Sequence, residues 1–211
     1  SALSPTAYAL TWLRDLNLVA SAEAQRALDF IAQCQTPRGL WRENPALQVY
    51  NPPPWMDPAS PAADVYTTAQ CASALATFSD AYELEVEQAV AWLQTQQSRD
   101  GLLIGFKAHS SWLAVPAFAA ALEHDTRSTR RLIGGLGELL SSDWDAAMLA
   151  WLLQALLDGG YTRRTQLVNR AWQMLQSAQQ PDGSFSVKDG EDAVLTTLQA
   201  IDVAHLITTG A

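Results

Sequence analysis

The chain has 211 residues, 48% hydrophobic and 17% charged, which excludes an intrinsically disordered protein and predicts a single domain over residues 1–211. The formal net charge of −9 argues against nucleic acid as a partner and gives no strong signal for a membrane surface. No stretch approaches the roughly 20 apolar residues of a membrane span. Cys34 and Cys71 form no CxxC pair, so we expect a cytoplasmic chain with reduced, buried thiols.

Helical periodicity predicts nine helices of two kinds that alternate along the chain. Five are apolar on all sides and are predicted as inner helices, near 5–17, 62–78, 109–123, 143–158 and 191–208. Four keep one polar face and are predicted as outer helices, near 22–35, 83–97, 126–141 and 163–179. Repeated pairs of this kind predict an all-α fold, either a solenoid or a closed double ring.

A spacing repeat follows three of the outer helices. It consists of an apolar pair, three residues, Gln, three residues, Gly, one residue and a large apolar side chain. The copies are Phe30-Ile31 with Gln35, Gly39 and Trp41; Trp92-Leu93 with Gln97, Gly101 and Leu103; and Met174-Leu175 with Gln179, Gly183 and Phe185. The Gln amide can bond neighbouring helix ends and the Gly can supply a positive φ. The repeat therefore predicts a structural connection rather than chemistry.

These copies resemble the QW motif of squalene-hopene cyclases and related triterpene cyclases, most closely over Arg26–Trp41. The wider superfamily also contains the β subunits of protein prenyltransferases. The resemblance implies an (α/α) toroid of inner and outer helices around an apolar cavity. Such a toroid has about six hairpins, and nine helices give four and a half. We therefore expect a ring that is open, small or completed by a partner, a homodimer being one way to close it.

The resemblance also implies a proton donor, the central Asp of a DxDD motif at the head of an inner helix. The nearest counterpart here is Asp143-Trp144-Asp145-Ala146. Asp145 then takes the place of the donor and Asp143 that of its first neighbour, while Ala146 replaces the last Asp. The alternative is that Asp64, Asp145 and Asp192 cap their helices.

His109 begins an inner helix, and its ring is predicted to reach the same cavity mouth as Asp64 and Asp145. There it could tune a buried carboxyl, or it could simply bond a carbonyl. His124 and His205 lie near helix C-termini and are predicted to be structural. The sequence has no DDxxD motif and no Asp, Cys and His set of the prenyltransferase kind, so we expect neither a metal nor a cofactor.

Aromatic residues recur on the predicted inner helices and could line a pocket for a flat apolar molecule. They are Tyr8, Trp12, Tyr66, Trp112, Phe118, Trp144 and Trp151. Trp55 and Asp64 are also predicted to bind the substrate, together with all of these aromatic residues except Phe118. The Pro-rich segment 42–61, which contains Tyr50 and Trp55, is predicted to cover one end of the barrel as a lid.

The leading hypothesis is a small terpene-cyclase-like enzyme, a lyase or isomerase, that acts on an apolar isoprenoid or polyene. Proton transfer from an Asp would start a cyclisation or an isomerisation. Three alternatives stay open: a non-catalytic isoprenoid or lipid-binding module, a repeat scaffold that binds a protein partner, and cleavage of a glycan by the pair Asp143 and Asp145.

Overall fold

The computed structural model describes residues 2–16, 18–122, 126–185 and 193–209, and within them the chain is helical. The α-helices are α1 Leu3–Asp15, α2 Ala22–Gln33, α3 Pro61–Phe78, α4 Glu83–Thr95, α5 Lys107–Leu113, α6 Val115–Leu122, α7 Arg127–Leu139, α8 Ala146–Asp158, α9 Gln166–Ala178 and α10 Ala193–Thr209. Within these ranges the only β-type pairings are two isolated bridges, Gln97 with Leu103 and Gln179 with Phe185. The predicted all-α class is confirmed.

The helices form the two layers of a toroid. The inner layer runs through α1, α3, the pair α5 and α6, α8 and α10, each of which contacts the next. The outer layer is α2, α4, α7 and α9, each packed against inner helices. One apolar core extends from Leu3 to Ile207. An ion pair of 2.7 Å between Arg14 and Asp158 joins the C-terminal ends of α1 and α8.

The inner helix predicted over 109–123 is in fact two helices, α5 and α6, which meet at Ala114. Pro116 has no N–H to continue the helical ladder. The Ser73 hydroxyl of α3 enters at this point: it donates to the Leu113 carbonyl and accepts from the Ala117 N–H at 3.3 Å. In a continuous helix these two backbone groups would bond each other, so an inserted side chain replaces that bond.

The last inner helix was predicted to be buried on all sides, and this prediction is wrong: α10 is buried on one face only. α10 buries Thr196, Ala200, Val203 and Ile207 on one face. The opposite face exposes Val194, Leu198 and Ile201. The physical reason is that α10 packs on α8 along one face, which leaves side chains of the opposite face in contact with solvent.

Both cysteines are free, but only one is buried as predicted. Cys71 lies in the core on α3, whereas Cys34 stands at the C-cap of α2 and is exposed. A C-cap residue of an outer helix lies where the chain turns, which explains the exposure. Among the described helices none combines the length and the apolar character of a membrane span.

The segment predicted as a long irregular loop contains two short 3₁₀ helices, Pro45–Tyr50 and Pro54–Met56. Its start is anchored to α1 by Glu43, which is only 2% exposed. The Glu43 carboxylate accepts from the backbone N–H groups of Leu3 at 2.8 Å and Ser4 at 2.7 Å. Those amides have no partner inside α1, and a carboxylate at a helix N-terminus is stabilising.

The first two repeat connections join one outer helix to the first turns of the next. In the first junction, Gln35–Trp41, the Gln35 amide donates to the Glu85 carbonyl of α4 at 2.8 Å. In the second junction, Gln97–Leu103, Gln97 donates to the Ser128 carbonyl of α7 at 3.1 Å. Gly39 and Gly101 have φ of 82° and 89°, as predicted.

The third junction, Gln179–Phe185, has the same internal geometry, but its Gly faces no helix backbone among the described residues. Gln179 donates to the Gly183 carbonyl at 3.0 Å, and Gly183 has a φ of 89°. A Cβ on Gly39 or Gly101 would lie 2.4 or 2.1 Å from a backbone oxygen of the next outer helix, whereas a Cβ on Gly183 would meet nothing within 4 Å.

Candidate functional site

Four rings meet near the head of α8 and form what we name the Trp112 cluster: His109, Trp112, Trp144 and Trp151. The Trp112 centroid lies 4.4 Å from that of His109, 5.5 Å from Trp144 and 6.3 Å from Trp151. His109 also lies 6.2 Å from Trp151. Trp112 is 2% exposed, and the other three are half-buried. The sequence proposed all four residues, and the fold brings them together.

Asp145 begins α8 and sits beside this cluster. Its backbone is extended, with φ −81° and ψ 175°, and its Oδ1 accepts the Met148 N–H at 2.9 Å. This is the N-cap geometry that the sequence offered as an alternative role. Asp143 lies two residues earlier in an exposed turn. Asp192 lies outside the described residues.

The Asp145 carboxylate acts electrostatically on His109. Burial lowers the pKa of His109 below its ordinary value, and the nearby Asp145 carboxylate opposes this shift. The imidazole is therefore neutral near pH 7. The predicted proximity of His109 to a carboxyl at the head of α8 agrees with this geometry. Of the other histidines, His205 is exposed on α10, and His124 lies outside the described residues.

Asp64 belongs to an ion pair rather than to a cap. The Arg42 guanidinium donates through Nε to Oδ1 at 2.9 Å and through Nη2 to Oδ2 at 2.5 Å. Asp64 is buried in the first turn of α3, and the N-cap of that helix is Ser60. The pair raises the pKa of Arg42. Asp64 thus fastens segment 42–61 to α3.

The remaining aromatic candidates form a second group. Tyr8 and Trp12 of α1 meet edge to face at 6.1 Å, and Tyr66 of α3 meets Phe106 at 6.2 Å. Burial raises the pKa of Tyr66 to about 12, with a smaller contribution from Tyr8. Phe106 was not among the predicted residues, although an aromatic residue just before an inner helix is a usable signal.

The two aromatic groups do not merge into one lining. In the part of the chain that the structure describes, no ring contact joins the Trp112 cluster to Tyr8, Trp12 or Tyr66. Trp55 lies on the second 3₁₀ helix of segment 42–61. This short helix contacts α3, and the Trp55 side chain is exposed. The proposed binding residues therefore fall into a buried cluster and a more open group.

Two shallow surface pockets lie away from both aromatic groups, and both include residues near the C-terminal end of α6. One is lined by Gln94, Leu122, Thr126, Arg127, Ser128 and Arg131. The other is lined by Ala76, Ser79, Asp80, Glu83, Val86, Ala120 and Ala121. Neither includes a predicted site residue. No group of three His, Cys, Asp or Glu residues with metal-binding geometry occurs in ranges 2–16, 18–122, 126–185 and 193–209.

Comparison with known proteins agrees with this architecture. The prenyltransferase alpha-alpha toroid domain matches the sequence over residues 6–135 and 133–210. Among solved structures, the ligand-free type II terpene cyclase MstE from Scytonema superposes with a TM-score of 0.65 at 15% identity, covering 100% of this chain and 74% of the cyclase chain. At this identity the likeness concerns the fold. No curated protein sequence matches.

Proposed function

Since the chain belongs to the prenyltransferase alpha-alpha toroid family, we propose that it is a terpene-cyclase-like enzyme acting on an apolar isoprenoid or polyene. The observation that supports this proposal is the meeting of His109, Trp112, Trp144 and Trp151 beside the carboxyl of Asp145. An acid next to aromatic faces is the combination that proton-initiated alkene chemistry requires.

The proposed reaction starts at Asp145. Its protonated carboxyl transfers a proton to one alkene carbon, the C=C electron pair forms the new C–H bond, and the neighbouring carbon becomes a cation. The indole faces of Trp144 and Trp151 stabilise that cation. Loss of a proton from an adjacent carbon to the neutral His109 ring restores an alkene, and His109 returns the proton to Asp145. The net result is an isomerisation, or a cyclisation when a second alkene attacks the cation first.

A second candidate function is binding of the same class of molecule without chemistry. It is favoured by the hydrogen bond from the Met148 N–H to Asp145, because this bond gives the carboxyl group a structural role as the N-cap of α8. Ala146 at the position of a further acid and the exposure of Asp143 point the same way. In this case the Trp112 cluster would hold the ligand and Asp145 would only cap α8.

The two functions differ in the response to Asp145→Asn. Asn caps a helix as well as Asp does, so this variant should keep the stability of α8 while losing the acid. The purified protein would be incubated with farnesol, geranylgeraniol and squalene, and products would be identified by gas chromatography with mass spectrometry.

If the enzyme proposal holds, the wild type forms rearranged products and Asp145→Asn forms none. Added isoprenoid should quench the Trp fluorescence of both proteins equally, because both still bind it. Products that persist in Asp145→Asn would contradict the role of Asp145. Binding without products in either protein would favour the second candidate. Asp80→Asn, which changes a carboxylate away from the cluster, is the matched control and should behave as the wild type.

A further inference from the structure

The helical hydrogen-bond ladder is interrupted where α5 meets α6. Pro116 has no N–H to donate to the Trp112 carbonyl. The Ala117 N–H donates at 3.3 Å to the Ser73 hydroxyl of α3, and that hydroxyl donates to the Leu113 carbonyl. A side chain from a neighbouring helix thus takes the place of a bond within the ladder.

The interruption is short, and the ladder is regular on both sides of it. The Ala114 N–H donates to the Ser110 carbonyl at 3.2 Å, and the Phe118 N–H donates to the Ala114 carbonyl at 3.0 Å. α5 and α6 are therefore two helices that meet at a single point. A side chain inserted into a helical ladder bends the helix there, so the inserted group sets the direction of α5 relative to α6.

The Ser73 hydroxyl behaves differently from the hydroxyls of Thr197 and Thr208 on α10. A hydroxyl within a helix commonly bonds a carbonyl of its own preceding turn, as these two do at 2.7 and 2.8 Å. Ser73 instead uses both its donor and its acceptor between α5 and α6. The residue is buried, and α3 contacts both α5 and α6, so the packing of α3 fixes its position.

α5 carries two members of the Trp112 cluster, His109 and Trp112, and the other two lie on α8 or just before it. Trp112 directly precedes Leu113, whose carbonyl accepts from Ser73. The Trp112 ring is buried and lies 5.5 Å from Trp144. Since α5 has only 7 residues, a change in its direction moves both of its rings relative to α8.

We propose that Ser73 is a positioning residue for the Trp112 cluster. Its hydroxyl separates α5 from α6 and so directs His109 and Trp112 towards the head of α8. Without the hydroxyl, the Ala117 N–H donates to the Leu113 carbonyl, and α5 turns towards the direction of α6. The inference rests on the proposed function only for its effect on ligand binding, because the arrangement of the rings exists without a ligand.

The test measures the arrangement of the rings by circular dichroism. Indole rings that lie close together couple their electronic transitions and give paired bands of opposite sign in the far ultraviolet. In the described part of the chain, Trp112 belongs to every ring contact between two Trp residues, so the bands that Trp112→Phe removes define the ring signal. Ser73→Ala should lower the ring signal at least twofold, while the helix content stays unchanged.

Ser110→Ala is the matched control. Ser110 is fully buried on α5, and its hydroxyl has no hydrogen-bond partner among the described residues. Its loss should therefore leave the ring signal as in the wild type. A decrease in Ser110→Ala as large as that in Ser73→Ala would overturn the proposal, because any small change in the core would then disturb the rings.

Pro116→Ala separates the two causes of the break between α5 and α6. With Ser73 still inserted, this variant should keep most of the ring signal. A decrease as large as that in Ser73→Ala would overturn the proposal, because the proline would then set the direction of α5. An unchanged ring signal in Ser73→Ala would overturn it as well.

Ser73→Cys replaces Ser73→Ala if thermal unfolding shows that the latter is misfolded. A thiol is of similar size but forms weaker hydrogen bonds than a hydroxyl. The ring signal of Ser73→Cys should fall between those of the wild type and Trp112→Phe, and a signal equal to that of the wild type would overturn the proposal.

Ligand binding is measured separately with farnesol, by quenching of Trp fluorescence. Ser73→Ala should bind farnesol at least tenfold more weakly than the wild type, and Ser110→Ala should bind it equally well. Equal affinities of Ser73→Ala and the wild type would contradict the effect on ligand binding. If the wild type binds no isoprenoid, the proposed function fails, while a ring signal lowered in Ser73→Ala and kept in Ser110→Ala still supports the positioning role.

Discussion

The second and third junctions have the same sequence spacing and the same local turn but different surroundings. Gln97 is half-buried and bonds both its own turn and α7, while Gln179 is exposed and, among the described residues, bonds its own turn. Gly101 is pressed against the backbone of Arg131, while Gly183 has open space beside it. The comparison separates what a repeat needs to form its turn from what it contributes to packing.

The largest expected difference is at the glycines. Gly101→Ala places a Cβ 2.1 Å from the Arg131 carbonyl oxygen in addition to the strain of a positive φ. We expect a loss of about 3 kcal/mol or more in the free energy of unfolding. Gly183→Ala should cost only about 1 to 2 kcal/mol, from backbone strain alone. Urea unfolding of the two variants measures both losses in the free energy of unfolding. Equal losses would contradict the expected difference between the two glycines.

The aromatic position should show a smaller difference. The Trp41 indole Nε1 donates to the Ile31 carbonyl at 2.7 Å, and the side chain is fully buried. Trp41→Phe should cost about 2 kcal/mol, because it removes a buried donor and leaves that carbonyl without it. Phe185→Leu removes no hydrogen bond and should cost about 1 kcal/mol. Thermal unfolding followed by circular dichroism would rank the two, and the reverse order would count against this account.

The glutamines isolate the contribution of the neighbouring helix. Gln97→Ala removes the bonds to Ser128 and Gly101, and we expect a loss of about 1 to 2 kcal/mol. Gln179→Ala removes one exposed bond and should lie within about 0.5 kcal/mol of the wild type. The measurement is urea unfolding of both variants in parallel. A Gln179→Ala loss as large as that of Gln97→Ala would show that the turn alone accounts for the stability.

Lowering the pH should slightly reduce the free energy of unfolding of the whole chain. It should not change the difference between the second and third junctions, because their Gln and Gly residues do not titrate. The folded protein has a lowered pKa at His109, so below the unfolded pKa of about 6.5 the unfolded chain takes up a proton that the folded chain does not. Between pH 7.5 and 6 this costs at most about 0.8 kcal/mol. His109→Gln should remove that part of the slope. A slope unchanged in His109→Gln would assign it to other groups.

The repeated spacing predicted the helix order and the geometry of the connections because these depend on local chemistry. A Gln four residues before a Gly bonds its own turn in all three copies, whatever surrounds it. The N-cap at Asp145 was predicted as one alternative for the same reason, since an Asp before an apolar helix finds a backbone N–H within its own first turn.

Features that depend on distant residues were not predicted. The break between α5 and α6 needs Ser73 from another helix, although Pro116 was a visible signal. The capping of α1 by Glu43 spans 40 residues. The exposed face of α10 could not be foreseen from its composition, because an apolar helix is buried only as far as its neighbours allow.

The candidate site follows the same division. His109, Trp112, Trp144 and Trp151 each occupy predicted inner-helix positions, and their meeting follows from the order of those helices. Asp64 was placed among the ligand-binding residues, but the fold gives it Arg42 as a partner. The sequence does not predict the pairing of Arg42 with Asp64, because the conformation of segment 42–61 depends on its contacts with α1 and α3.

The Glu43 carboxylate has a mechanical consequence for any movement of segment 42–61. It holds α1 by the first amides of that helix, while the adjacent Arg42 holds α3 through Asp64. Any outward swing of residues 42–61 must therefore break charged contacts to two walls of the barrel at once. Hydrogen exchange at Leu3 and Ser4 would consequently report the opening of this segment, at amides located 40 residues away in the chain.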